Sequence, residues 1–120
     1  MNDGPTGLAD HPRVRRWLEA TGHDRADAEV RGRFLQVLWG FLSHAELSPD
    51  ALVEFCFLRK RETGERFLST KRRVAVNELI ASYVDRQGWS GKEAVVNANV
   101  VRSFLIHNGV LIQGGVWTRG

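Results

Sequence analysis

Five of the seven cations in RKRETGERFLSTKRR (59–73) are Lys60, Arg61, Lys71, Arg72 and Arg73, and the stretch holds only 2 acidic residues. Clustered cations release the counterions condensed on nucleic acid, so this pattern has the chemistry of a phosphate-binding patch. The plainer reading of such a run is a solvated loop. Charge is uneven along the whole chain. Residues 1–50 carry 6 Lys/Arg against 8 Asp/Glu, a balance of −2. Residues 51–120 carry 11 against 6, a balance of +5, which gives the net +3.

A second set of polar residues is threaded through SGKEAVVNANVVRSFLIHNG (90–109). At about 100° per residue, Asn99 and Ser103 fall almost directly above Lys92. Arg102 and His107 flank that line, and Ala94, Ala98, Val101 and Leu105 take the far side. Lys92 supplies a cation near the N-terminal turn. Asn99 has the donor and acceptor pair for an adenine edge, and Arg102 suits a guanine edge or a phosphate. Any amphipathic helix has a wet face, but this one is short of carboxylates after Glu93. Asn97 lies nearer the apolar side, where a buried amide and a ligand contact are equally open readings.

Other chemistries lack their signatures. The four histidines, His11, His23, His44 and His107, show no metal-ligand spacing, so no metal or cofactor is expected. There is no phosphate loop, dinucleotide fingerprint or G-x-S-x-G. The single cysteine, Cys56, sits among Phe55, Phe57 and Leu58 and reads as a buried thiol rather than a nucleophile. One cysteine also excludes an intramolecular disulfide, which fits a reducing cytoplasm. No apolar run approaches the roughly 18 residues of a membrane span, and the N-terminus lacks a secretory layout.

The elements that position these residues read as an all-α bundle of about five helices in one domain. Residues 1–10 form a flexible lead, 11–112 the helical domain and 113–120 a linker or short strand. The first helix is HPRVRRWLEATG, with Val14, Trp17 and Leu18 on one side and Gly22 as its stop. The second spans 24–47 with Asp24 as N-cap, and its wide stripe of Phe34, Val37, Leu38, Phe41 and Leu42 implies a central position. The third starts at Ser48-Pro49 and runs on toward ETGER. The fourth is capped by Ser69 or Thr70 and stops at Gly88. In the fifth, Ser90 and Glu93 have capping-box spacing, and Asn108-Gly109 ends it.

The ending NANVVRSFLIHNGVLI, with Val101, Arg102, Ser103, Phe104, Asn108 and Val110 at its matching positions, resembles the N-terminal core-binding (SAM-like) domain of phage-type integrases, the tyrosine recombinases. LSPDALVEF resembles the start of that family's middle helix. The match covers about residues 11–112 in order and spacing, and only the last twenty at residue level. The resemblance implies a helical clamp on double-stranded DNA that catalyses nothing itself. The arginines, Lys, histidines and tyrosine nucleophile of the family lie in a second domain, here a separate or removed partner. It also implies oligomerisation on DNA. The net charge of +3 is below what is common in such domains. The expected contacts are Lys60, Arg61, Lys71, Arg72 and Arg73 on phosphates, and Lys92, Asn99 and Arg102 in or beside a groove. Tyr83 sits mid-helix on an apolar stripe and is not expected to act as a nucleophile.

Two other readings compete with DNA clamping. One is a helical protein-interaction module anchored by Trp39, Trp89 and Trp117. The other is a small helix-turn-helix regulator, with Gly88-Trp89-Ser90 as its tight turn.

Overall fold

The computed structural model describes residues 7–114, and among these the chain is a bundle of five α-helices with one small hairpin. The helices are α1 (Pro12–Thr21), α2 (Ala28–Ala45), α3 (Pro49–Phe55), α4 (Thr70–Gln87) and α5 (Gly91–Ile106). Strands β1 (Phe57–Arg59) and β2 (Arg66–Leu68) pair antiparallel between α3 and α4. The all-α bundle expected from the sequence is what forms. No described helix is long and apolar enough to cross a membrane.

Local chemistry sets most of the boundaries. His11 caps α1 through Nδ1, and Gly22 closes it in the left-handed region at φ 79°. Ser48 and Ser69 accept from the amides of Ala51 and Arg72 and so cap α3 and α4. Two expected caps are corrected. Asp27, not Asp24, caps α2 by accepting from the Val30 amide at 2.9 Å, because Asp24 is taken up in a single 3₁₀ turn at His23–Arg25. Ser90 is the N-cap of α5 but makes no side-chain cap bond, so the capping box does not form. The next residue, Gly91, stands at φ 58°, and a left-handed first residue turns the leading amides away from the geometry that a serine cap needs.

The third helix is shorter than its expected extent. It stops at Phe55, and Phe57–Leu68 turns back as a hairpin with Phe57 opposite Leu68, Leu58 opposite Phe67 and Arg59 opposite Arg66. Three-residue strands are too short to show an alternating period. The ladder closes with Lys60 N–H donating to the Glu65 carbonyl at 2.8 Å, and Gly64 supplies the left-handed turn residue.

The core gathers Val14, Trp17 and Leu18 of α1 and Leu38 and Phe41 of α2 with Leu52 and Val53 of α3. Val76 and Ile80 of α4 and Val101, Phe104 and Leu105 of α5 complete it. Helix α5 packs on α1, α2 and α4, and so shares the central position with α2. Past α5, residues 110–113 form no ladder yet alternate in burial. Val110 and Ile112 are buried while Leu111 is 61% exposed, so the domain runs on into this segment. At the other end, Leu8 and Ala9 pack on the core, inside the stretch expected to be a lead.

Candidate functional site

The hairpin base is built into the fold. The Ser69 amide donates to the Cys56 carbonyl at 2.9 Å, which locks the strands to the cap of α4. Arg66 donates to Glu54 at 2.9 Å and lies 3.7 Å from the centre of the Phe57 ring, and Glu54 also takes a 3.4 Å bond from Arg13. The hairpin is therefore held to α1 and α3 by a shared carboxylate. Cys56 is fully buried at this junction, and burial pushes its thiol up to about 11 despite the nearby Arg72 and Arg73. A thiol so placed is inert at neutral pH, consistent with a structural cysteine.

Beyond this base, the hairpin turn is exposed throughout. Lys60 makes a solvent-facing pair with Glu65 at 3.5 Å. Arg61 is exposed at the turn, and Lys71 is exposed in the first turn of α4. Arg59 donates to the Gly64 carbonyl at 2.9 Å and stiffens the turn.

The neighbouring arginines face inward. Arg72 is half-buried, lies 4.6 Å from the centre of the Phe55 ring and donates to the Phe55 carbonyl at 3.2 Å. Arg73 donates to the Leu111 carbonyl at 2.7 Å and to the Ser69 carbonyl at 3.1 Å. These two residues join the hairpin, α4 and the C-terminal segment.

On α5 the expected polar face is divided among three neighbours. Arg102 is half-buried, and burial lowers its pKa from the ordinary arginine value. Its Nε donates to Asn77 Oδ1 at 2.9 Å and its Nη1 to Asn99 Oδ1 at 3.0 Å. Asn77, only 1% exposed, in turn donates to the Gln113 carbonyl at 2.9 Å. Ser103 accepts from the Trp17 indole at 3.0 Å. Lys92 lies elsewhere, on the rim of a groove between α2 and α5. Asn97 is half-buried in the same groove, and His107 is an exposed C-cap.

The structure thus joins Arg73, Asn77, Arg102 and Asn99 into one network along the residue 110–114 segment, and leaves Lys60, Arg61 and Lys71 facing water. Asn77 is the member that sequence reading missed. Its signal was an amide flanked by the apolar stripe of Val76, Leu79 and Ile80, where a polar side chain must find partners. The residues that carry the integrase resemblance are also structural here. Val101, Phe104 and Val110 are fully buried, and Asn108 donates to the carbonyls of Arg13 and Phe104 at 3.1 and 2.9 Å.

Tyr83 is buried, with its hydroxyl donating to the Val37 carbonyl at 3.0 Å, and burial raises its pKa. Trp39 and Trp89 both line the α2–α5 groove, while Trp117 lies outside the described residues. A three-residue turn, Gly88-Trp89-Ser90, does separate α4 from α5. Among the described residues no three His, Cys, Asp or Glu side chains gather as a metal site. No family model, curated protein or solved structure matches the chain.

Proposed function

We propose that this chain binds double-stranded DNA, with the hairpin turn and the start of α4 against the phosphate backbone, and that it catalyses nothing itself. The observation that carries this reading is the exposure of Lys60 and Arg61 on the hairpin and of Lys71 at the start of α4, with the hairpin base bonded to the cap of α4 and, through Glu54, tied to α3 and α1. A two-stranded ribbon has the width of a major groove, and cations on a fixed support neutralise phosphates without losing much freedom. Arg72 and Arg73 brace the start of α4 through Phe55, Ser69 and Leu111, while Arg102 is held by Asn77 and Asn99. Lys92 stands apart on the groove rim.

The resemblance to integrase core-binding domains supports the same partner. In that reading the chain works in the cytoplasm, a separate or removed domain carries the catalysis, and copies come together on the DNA.

Fluorescence anisotropy on a labelled duplex across salt concentrations tests this. The double variant Arg61→Glu, Lys71→Glu weakens binding, and the slope of log K against log salt becomes shallower by about 2, at about 0.9 per phosphate contact. Both side chains are exposed, so the fold is retained. Unchanged affinity and slope overturn the assignment.

A further inference from the structure

A half-open groove of about 690 Å³ lies where α2, the end of α4 and the start of α5 meet. Its volume falls within the roughly 300–1,000 Å³ of small-molecule sites. The floor is fixed. Tyr83 is 3% exposed, its hydroxyl is bonded to the Val37 carbonyl, and the Trp89 ring stands edge-on to it at 5.4 Å. Gly40 also lines the groove, and any larger residue there would run into the Tyr83 phenol. The walls are Phe34 and Trp39 from α2, Trp89 from the turn and Val96 from α5, the last 47% exposed.

Aromatic walls over a rigid floor favour a flat ring system, which gains area by stacking and loses little freedom. The rim selects charge. Arg33 comes from α2 and Lys92 from α5, and neither makes an ion pair among the described residues. Glu93 is the one carboxylate in the lining, so the groove keeps a net positive charge. We infer that the groove is a binding site for a small aromatic acid, its rings against Trp39 and Trp89 and its acid group toward Arg33 and Lys92. This site is separate from the hairpin and does not rest on the DNA reading.

The test uses the full chain and two probes that differ by one acid group, 8-anilinonaphthalene-1-sulfonate and the neutral N-phenyl-1-naphthylamine. The sulfonate binds one-to-one, raises the Tm, and shifts amide resonances within residues 33–40 and 83–100. It binds roughly three- to ten-fold tighter than the neutral probe, the range for two partly exposed charge contacts. Arg33→Glu with Lys92→Glu removes that preference, whereas Trp89→Ala weakens both probes. The Arg61→Glu, Lys71→Glu variant binds the sulfonate as before. Absence of saturable binding, equal affinity for the two probes, or shifts centred on the hairpin overturns the proposal. Loss of the site as protein concentration rises, with dimers in sedimentation velocity, assigns the groove to a second copy of the chain and overturns it too.

Discussion

The basic hairpin and the polar side of α5 look alike as residue types, yet the fold uses them in opposite ways. The hairpin turn sends Lys60 and Arg61 into water, and the start of α4 does the same with Lys71. Helix α5, surrounded by α1, α2 and α4, spends Ser103 on Trp17, Arg102 on Asn77 and Asn99 on Arg102. Where a helix face meets its neighbours, the polar residues on that face must bond across the contact or remain costly. Polar spacing on a helical wheel therefore shows which residues share a direction. Whether that direction meets solvent or another helix depends on packing that no local pattern encodes.

The comparison breaks most visibly through stability. Phe104→Ala removes a fully buried ring at the centre of the α5 motif and is expected to cost about 3–5 kcal/mol in urea unfolding. Arg102→Met comes next, at about 1–3 kcal/mol, because Asn77 is left buried without its partner. The folded Arg102→Met protein should keep its duplex affinity within about two-fold, a change worth less than ~0.5 kcal/mol. If binding falls while stability holds, α5 is a reading surface after all and the contrast collapses.

A pH series probes the hairpin base. Cys56 titrates near 11 in the folded chain, above the ordinary thiol value of 9.0. Between those values the unfolded chain has released the proton and the folded chain still holds it. Stability is therefore complete below pH 9 and falls as pH rises toward 11. Cys56→Ala should remove the Cys56 share of this decline, leaving the share of buried Tyr83, whose pKa is also raised, and a thiol reagent should label native Cys56 only on unfolding. A flat stability profile in the unaltered chain would mean that the hairpin base opens readily. The smallest effect is expected for Glu54→Ala, about 0.2–1 kcal/mol, since its pairs with Arg13 and Arg66 are partly exposed. Loss of hydrogen-exchange protection confined to 57–68 would show that this carboxylate fixes the hairpin.

Much of the bundle was legible because its signals are local. Ser48-Pro49, Ser69, Gly22 and Gly88 stand where the helices begin and end. The hairpin was not legible by periodicity, although Phe57-Leu58-Arg59 and Arg66-Phe67-Leu68 place two apolar residues and an arginine symmetrically about Glu62-Thr63. The C-terminal insertion of Val110 and Ile112 was visible only as apolar residues without a helical period. For the candidate site, the charge of 59–73 could be read but the inward turn of Arg72 and Arg73 could not. Their partners, Phe55 and Leu111, lie 17 and 38 residues away.

The segment from Val110 to Gly114 has a mechanical consequence. It is fastened sideways by Arg73 and Asn77, lies against Arg102 and has two side chains set in the core. A load applied past residue 114 must shear these bonds together before it reaches α5, so tension passes into α4 and the hairpin it carries. Pulled from this end, the domain should yield in one cooperative rupture rather than by peeling.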